Sequence, residues 1–214
     1  MQQNCPLCNH SKGLEAVEGP LDRHYFHCPE CDLIFVVSTD LLSVDEERKR
    51  YVLHENDIND PGYVGFLSQA VEPALPFLDS GMEGLDFGSG PGPALSMLLR
   101  EKGLHCQDYD PVFGPSLPDG SFDFIFSTEA FEHFHDPVKE MNLIDERLNP
   151  GGYLIVMSMW HHGLGNFRNW FYARDDTHVL FFSLKTFLFI ASQWQYELIL
   201  DDGKRVVIFR KKDR

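Results

Sequence analysis

The second part of the chain alternates between two patterns of hydrophobic and polar residues. Four short apolar runs from Gly84 onward predict buried strands: GLDF, HCQDYD, FDFIFST and YLIVMS. Between them, residues 93–102, which end at Gly103, and residues 137–148 are predicted to be helical. Alternation of this kind indicates an α/β fold, a doubly wound and mostly parallel sheet with helices on both faces.

The C-terminal end of the chain follows a different pattern. A predicted helix near residues 183–194 precedes two β-rich runs, YELILD and RVVIFR, which are joined by Asp202-Gly203. Asp-Gly between two such runs predicts a hairpin. The sheet is therefore expected to gain an antiparallel C-terminal edge. Upstream, the NPGG sequence at 149–152 predicts a turn into the YLIVMS strand.

The N-terminal 81 residues show neither the strand–helix alternation nor the hairpin pattern. Residues 1–40 hold short β-type runs, HYFHC and LIFVV, around two cysteine pairs. Residues 41–81 are predicted to be a helical lead-in, with a charged amphipathic helix over 41–54 and a second helix over 63–78. The expected organisation is a zinc-ribbon segment at 1–40, the lead-in at 41–81 and the main α/β domain at 82–214.

Composition and charge narrow the choice of partners. The 214 residues, 43% of them hydrophobic, fit one full domain and a small appendage. The net charge of −15 weighs against nucleic acid as a partner, since binding to phosphate backbones depends on Lys and Arg.

The most apolar stretch, VLFFSLKTFLFIA, is only 13 residues long and contains Lys185, so it is not expected to span a membrane. With no signal peptide apparent, a cytoplasmic location is expected.

The sequence LDFGSGPGP at 85–93 carries the most informative motif. Gly88, Gly90 and Gly92 let the backbone approach a ligand, and the helix that follows directs free N–H groups towards it. Pro93 interrupts the spacing of the dinucleotide fingerprint. The Asp86 carboxylate would repel a pyrophosphate but suits an ammonium or sulfonium group. The alternative is a purely structural turn.

S-adenosylmethionine carries both of these cations, and a second acid fits the same cofactor. Asp110 ends the second predicted strand, where a carboxylate accepts hydrogen bonds from the two ribose hydroxyls. Asp108 fits this role less well because it lies further from the strand end. The combination of the glycine turn with Asp86 and Asp110 predicts an S-adenosylmethionine site.

These motifs resemble the class I S-adenosylmethionine-dependent methyltransferases, which have a Rossmann-like sheet. LDFGSGPGP looks like their first motif and DYDP like the end of their second strand. LPDGSFDFIFSTEAFEHFHDP and LNPGGYLIV resemble the segments around their fourth and fifth strands, and the terminal hairpin matches their antiparallel seventh strand. The resemblance covers residues 63–210. Only 11 residues separate Asp110 from Phe122, too few for the family's third strand and its helix.

The resemblance also implies roles for individual residues. The stretch HENDINDPGY resembles the lead-in of a subgroup, and WFYARDDTHVLFF resembles a loop that closes the substrate pocket. Thr128 and Glu129 are expected to face the methionine end of the cofactor, with Tyr63 nearby. The full cofactor-binding set implied is Asp86, Gly88, Ser89, Gly90, Asp110, Thr128, Glu129 and Tyr63.

Four of the five cysteines form two close pairs, Cys5/Cys8 and Cys28/Cys31, separated by 19 residues. Two CxxC knuckles that face each other complete a tetrahedral zinc site. With four protein ligands the site would be closed, and hence structural. Iron–sulfur ligation and redox dithiols are the alternatives. Residues 1–40 have a formal balance of −4, so the ribbon is expected to shape a substrate lid or dock a partner rather than bind nucleic acid.

Histidines near the predicted cofactor site are candidates for a general base, because their ordinary pKa lies near neutrality. His178, His133 and Tyr172 are the predicted catalytic residues, with His54 in the lead-in as a further candidate. A hydrogen-bonded structural histidine is the alternative for each. His133, His135 and Asp136 would form a second metal site in a less favoured interpretation. His161-His162 is expected to be a solvated pair.

The resulting hypothesis is an S-adenosylmethionine-dependent methyltransferase that acts on a small or carrier-bound molecule and carries structural Zn²⁺. Its expected partner is a small-molecule substrate, with no nucleic acid and no membrane. An RNA or protein methyltransferase that docks through the ribbon is the main alternative. A binding module without catalysis is the next alternative, and a dehydrogenase is the most distant.

Overall fold

Two β-sheets organise the chain. The computed structural model describes residues 3–52, 59–114 and 116–213, and the bounds below refer to these ranges. The strands, in chain order, are β1 Glu15–Val17, β2 Tyr25–His27, β3 Ile34–Val36, β4 Glu83–Phe87, β5 His105–Tyr109, β6 Phe122–Thr128, β7 Leu148–Met157, β8 Leu180–Phe181, β9 Tyr196–Asp201 and β10 Val206–Lys211. The α-helices are α1 Val44–Tyr51, α2 Pro61–Ala74, α3 Ala94–Glu101, α4 Pro137–Arg147 and α5 Leu184–Trp194.

The larger sheet has six strands in the order β5-β4-β6-β7-β10-β9. β5, β4, β6 and β7 run parallel, and β10 is antiparallel to β7, so the predicted α/β sheet with antiparallel C-terminal strands is confirmed. The predicted hairpin forms this edge of the sheet, with β9 paired antiparallel to the outer side of β10. β5 forms the other edge, which agrees with the expected loss of the family's third strand.

The two faces of this sheet bury separate cores, as a doubly wound fold requires. Along β7, Leu154 and Val156 point into one core, while Ile155 and Met157 point into the other. The alternation follows from the two-residue repeat of a strand. Helices α2 and α3 cover the second face, and α4, α5 and the N-terminal segment cover the first. Each helix in the described ranges is too short or too polar to cross a membrane.

Two predicted elements differ in detail. The first helix begins at Val44 rather than at 41, because Ser43 and Glu46 form a capping box at its N-terminus. The predicted turn at 149–152 lies within β7, where the pairing with β6 shifts between Leu148 and Tyr153. These residues form a bulge that keeps β7 continuous.

The smaller sheet joins the N-terminal segment to the main domain. Its order is β1-β2-β3-β8, and β8 comes from the chain after β7. Ile34 pairs with Phe181 and Phe35 with Leu180, in antiparallel register. The sequence did not predict β8. Contacts therefore cross the predicted boundary at residue 40, and that boundary and the one at 81 stay predictions.

Candidate functional site

A cavity of about 910 Å³ opens at the carboxyl ends of β4, β5 and β6. In parallel sheets this edge is where ligands bind. The structure brings every predicted cofactor-binding and catalytic residue to its wall. These are Tyr63, Asp86, Gly88, Ser89, Gly90, Asp110, Thr128, Glu129, His133, Tyr172 and His178. The further candidate His54 lies outside the described residues.

The glycine turn forms one wall of the cavity. Gly88 and Gly90 have φ values of 90° and 67°, a backbone region that favours glycine. The backbone N–H groups of Gly88 and Ser89 donate to the Tyr109 carbonyl at 2.8 and 3.1 Å, which ties the turn to the end of β5. A Cβ at Gly88 would lie 2.6 Å from that of Ala130, so any other residue would push the turn away from the segment after β6.

Asp110 holds two loops together. Its Oδ2 accepts from the Gly90 N–H at 2.9 Å, and its Oδ1 accepts from the Val112 and Phe113 N–H groups, both at 2.8 Å. The predicted role was contact with a ribose, and the structure adds this backbone role. A carboxylate oxygen accepts more than one hydrogen bond, so Oδ2 retains capacity for a ligand hydroxyl.

Asp86 is a buried acid at the end of β4. Its side chain is 2% exposed, and Oδ1 has no hydrogen-bond partner among the described residues. Burial, followed by the charges of Asp108 and Asp110, holds the pKa of Asp86 well above its usual range. Such a carboxyl lacks a cation, and a positively charged ligand group in the cavity would supply one. The site therefore fits the cationic cofactor that the sequence predicts.

Glu129 and Tyr63 continue this wall. Glu129 has a φ of 49°, which costs about 1–3 kcal/mol for a residue other than glycine. Burial, followed by the charge of Glu132, raises the pKa of Glu129 to about 9, and its Oε1 has no partner in the described chain. Burial and the charges of Asp86 and Glu129 raise the pKa of Tyr63 to about 12. Thr128, at the end of β6, lines the cavity beside them.

His133 and His178 lie side by side on the opposite wall, with ring centroids 4.8 Å apart. Nδ1 of His133 lies 3.0 Å from the Thr177 carbonyl, and Nδ1 of His178 lies 2.8 Å from the Tyr172 carbonyl. A carbonyl only accepts, so both Nδ1 atoms carry a proton, and in the neutral form of each ring the lone pair lies on Nε2. Burial lowers the pKa of His178, which keeps this ring neutral and able to act as a base.

Tyr172 and Glu132 form the back of this wall. The Tyr172 hydroxyl donates to Glu132 Oε1 at 2.5 Å and to Glu129 Oε2 at 3.3 Å. Burial and these two carboxylates hold the pKa of Tyr172 well above its usual range, so the hydroxyl keeps its proton. Glu132 is fully buried, and its Oε2 has no partner among the described residues.

Two residues of this wall were not predicted from the sequence. Glu132 directly precedes His133 in the sequence, and this position beside a predicted catalytic residue could have identified it. Tyr51, in α1, lines the cavity and meets the His133 ring edge-on at 5.1 Å between centroids. The lead-in therefore contributes to the cavity on both sides, through Tyr51 in α1 and Tyr63 in α2.

The less favoured second metal site does not form as predicted. His135 Nε2 lies 2.7 Å from Glu47, and Asp136 caps α4 by accepting from Lys139. Glu132 instead groups with His133 and His178, within 4.8 Å, but one Glu132 oxygen already accepts the Tyr172 hydroxyl.

The prediction of a solvated His161 is wrong. The side chain is buried, and Nε2–H donates to the Asp32 carbonyl at 2.9 Å.

The four paired cysteines converge in the N-terminal segment. Their Sγ atoms all lie within 4.8 Å of one another, with Cys5–Cys31 at 3.6 Å and Cys8–Cys28 at 3.5 Å. Sulfurs around tetrahedral zinc are about 3.8 Å apart, given bonds of about 2.3 Å. A disulfide would bring two sulfurs to about 2.05 Å. The donor set and its spacing fit a tetrahedral metal.

The two cysteine pairs also share a backbone geometry. The Asn9 N–H donates to the Cys5 carbonyl at 2.9 Å, and the Asp32 N–H donates to the Cys28 carbonyl at 2.8 Å. Asn9 and Asp32, each the residue after a pair, have φ values of 58° and 62°. Asn and Asp tolerate this region better than most residues. Two equivalent knuckles therefore face each other, as a four-cysteine metal site requires.

Comparisons with known proteins agree with this architecture. A family model described as "Methyltransferase domain" matches residues 61–200. No curated protein matches the chain. Among solved structures, the chain is similar to phosphoethanolamine N-methyltransferase 2 of Haemonchus contortus in complex with S-adenosyl-L-methionine. The TM-score is 0.57 at 14% identity, over 85% of this chain and 62% of that one.

Two further structures are similar over nearly their whole length. One is magnesium protoporphyrin IX methyltransferase from Synechocystis PCC 6803 with bound S-adenosylhomocysteine, with a TM-score of 0.55 and 13% identity over 79% of this chain and 95% of that one. The other is 1,6-didemethyltoxoflavin-N1-methyltransferase from Burkholderia thailandensis, with a TM-score of 0.55 and 17% identity over 87% and 99%. Likeness at these identities shows the fold of the class I methyltransferases. Because the family model covers well over half of its residues, the chain belongs to the methyltransferase domain family.

Proposed function

We propose that this chain transfers a methyl group from S-adenosylmethionine to a small molecule. The observation that carries the proposal is Asp86, a buried carboxyl beside a glycine turn at the ligand-binding edge of the sheet, with an oxygen that has no partner among the described residues. In the same cavity stand two imidazoles whose Nδ1–H groups donate to backbone carbonyls, and burial lowers the pKa of one of them, His178. The site thus offers a place for a cationic donor and a base for an acceptor.

The residues of the first wall would hold the cofactor. The backbone at Gly88, Ser89 and Gly90 would receive its methionine portion, with Asp86 and Glu129 facing its positive charges. Asp110 would accept hydrogen bonds from the ribose hydroxyls through Oδ2 while Oδ1 holds the loop after β5. When bound, the cofactor supplies a methyl group that is already activated by the sulfonium charge.

The residues of the second wall would orient the acceptor and take its proton. Methyl transfer depends mainly on an in-line approach of the nucleophile, for which the lining residues would have to orient the acceptor. His178 Nε2 would accept the proton from an acceptor hydroxyl or amine, with His133 as its neighbour in the same tautomer. The Tyr172 hydroxyl, fixed by Glu132 and Glu129, would hold the backbone that positions His178.

The charge of the cavity favours neutral or cationic acceptors. Among the described lining residues, six are Asp or Glu and none is Lys or Arg. An anionic acceptor would therefore meet no countercharge in the wall, and like charge costs binding energy. The structurally similar proteins with named substrates act on a porphyrin, phosphoethanolamine and a toxoflavin precursor, all of them small molecules.

We further propose that Cys5, Cys8, Cys28 and Cys31 bind one structural Zn²⁺. The two equivalent knuckles and the spacing of their sulfurs support this site. With four protein ligands, the metal would have no open position for chemistry. Close cysteine pairs that bind a metal rather than form disulfides are typical of a reducing compartment, which supports the expected cytoplasmic location.

Removing the Asp110 carboxylate should weaken cofactor binding. We expect Asp110→Ala to raise the Kd for S-adenosylhomocysteine by about 10- to 100-fold, because charge-assisted hydrogen bonds to a ligand contribute about 1.5–3 kcal/mol. Isothermal titration calorimetry measures the change. Asp110→Asn keeps the shape of the side chain, and its Kd should lie between those of the unaltered protein and Asp110→Ala. Asp108→Asn is the matched control and should bind S-adenosylhomocysteine with unchanged Kd. Unchanged affinity in both Asp110 variants would exclude the ribose role.

The acceptor should be found among small neutral or cationic molecules. We expect the protein, given S-adenosylmethionine with a labelled methyl group, to label a low-molecular-weight extract only in fractions that an anion exchanger does not retain. Scintillation counting of the fractions gives the answer. Label in the anionic fraction, or in added RNA or protein, would contradict the proposed acceptor class. Cofactor binding without any labelling would favour the non-catalytic alternative.

Loss of the His178 imidazole should affect turnover and not cofactor binding. We expect His178→Gln to lower kcat by about 10²- to 10⁴-fold, the usual contribution of a general base. The rate of the unaltered protein should rise with pH and be half-maximal below pH 6.5, because burial lowers the pKa of His178 and the base is the neutral form. His105→Gln, an exposed site at the start of β5, is the control. A half-maximal rate reached only above pH 6.5 would argue against His178 as the base.

The metal site should depend on the four paired cysteines alone. We expect about one Zn²⁺ per chain by elemental analysis, and loss of that metal in Cys28→Ser. Cys106→Ala is the matched control, because Cys106 is a buried cysteine of β5 that belongs to neither knuckle. Zinc retained by Cys28→Ser, or iron found in its place, would disprove this assignment.

A further inference from the structure

One arginine of the N-terminal segment reaches the wall that carries His178. Arg23, between β1 and β2, donates through Nη1 to the Asp176 carbonyl at 2.7 Å. Through Nη2 it donates to the carbonyls of Asp175 at 3.3 Å and His178 at 3.2 Å. These contacts join positions more than 150 residues apart in the sequence. A single guanidinium therefore donates hydrogen bonds to three backbone carbonyls of one short loop, residues 175–178.

The loop is also held through other atoms: the Asp176 carboxylate pairs with Arg50 at 2.7 Å, and the Thr177 carbonyl accepts from His133 at 3.0 Å. Within it, Asp175 Oδ1 accepts from the Thr177 N–H at 2.9 Å, and the Asp175 carbonyl accepts weakly from the His178 N–H at 3.3 Å. The backbone thus forms a tight turn whose carbonyls point towards Arg23 while the His178 ring points into the cavity. Without a donor, these carbonyls would have to turn to find other partners. Their rotation would carry the imidazole with them.

Arg23 is itself held in place by the ribbon. Its Nε–H donates to the Tyr25 hydroxyl at 3.1 Å, and its guanidinium lies 5.3 Å from the centre of the Tyr25 ring. Tyr25 is 2% exposed and packs edge-on against Phe167. On the far side of the loop, the Val36 N–H of β3 donates to the Val179 carbonyl at 2.9 Å. The guanidinium is therefore a fixed fork rather than a mobile surface charge.

We propose that Arg23 is a positioning residue for His178, and that the ribbon serves the reaction through this contact. None of the described residues in 1–40 lines the cavity, so the ribbon does not reach a ligand there directly. Arg23 fixes the carbonyls of the Asp175–His178 turn, which fixes the His178 ring against the Tyr172 carbonyl and leaves Nε2 facing the acceptor. The proposal rests on the proposed role of His178.

The test uses the full chain labelled with ¹⁵N in its histidine side chains. Long-range ¹H–¹⁵N spectra report the tautomer of each ring, and His178→Gln assigns the His178 signals. We expect a single Nδ1–H tautomer in the unaltered protein and an average of the two tautomers in Arg23→Gln. With the acceptor fraction, kcat of Arg23→Gln should fall by about tenfold or more, because small misplacements of a catalytic group are costly. Its Kd for S-adenosylhomocysteine should stay within about twofold, a change below 0.5 kcal/mol.

Lys185→Met is the matched control. Lys185 Nζ donates to the Pro29 carbonyl at 2.7 Å, so this variant also removes a hydrogen bond between ribbon and domain, but away from the cavity. It should leave the His178 signals unchanged. Arg23→Lys keeps the charge without the planar fork and should restore the signals in part.

Two results would overturn the proposal: His178 signals that do not change in Arg23→Gln, or signals that change equally in Lys185→Met. If Arg23→Gln loses the ribbon fold, its amide signals will collapse into a narrow range. In that case Arg23→Lys replaces it, and unchanged His178 signals in Arg23→Lys would overturn the proposal. The spectra need no acceptor, so they separate this proposal from the proposed function. A fully active His178→Gln would disprove the catalytic role of His178. The spectra of Arg23→Gln would still show whether Arg23 positions the His178 ring.

Discussion

The N-terminal segment cannot bury a core of its own, and this constraint shapes the rest of the molecule. Its three strands have three residues each, and a segment of about 40 residues exposes too much surface to fold alone. Two features compensate for this. The cysteine cluster joins the two knuckles, and β8 of the main domain extends the small sheet. The ribbon core is therefore continuous with one face of the methyltransferase fold.

This shared sheet attaches the His178 side of the cavity to the N-terminal segment. The chain that follows β7 would otherwise be a long surface loop, the kind of segment that moves most in a protein. Here it ends in β8, which pairs with β3, and Arg23 holds the Asp175–His178 turn just before it. The wall that carries His178 is thus attached to both sheets at once. A lid that opens by detaching this turn would have to break the contacts of the ribbon as well.

The sequence predicted the parts of the fold that leave a local pattern. Strands with apolar runs, the glycine turn and the paired cysteines were all visible, because each depends on neighbouring residues. β8 was not visible, since two residues carry no periodicity. Asp110 was assigned to a ligand, while its bonds to the backbone of Gly90 and Phe113 depend on how two loops fold. Arg23 is one of only two cations in residues 1–40, but its partners lie more than 150 residues away.

The cavity holds buried carboxyl groups, and no Lys or Arg stands among its described lining residues. Asp86, Glu129 and Glu132 each keep a buried oxygen without a partner among the described residues. Burial, followed by the charges of neighbouring carboxylates, raises the pKa values of Asp86 and Glu129. Buried carboxyls in this state oppose folding when they ionise, because each charge lacks a countercharge. A cationic ligand between the walls would offset that cost and bind more tightly for the same reason. The buried carboxyls of this site therefore favour a ligand that brings a positive charge between the walls.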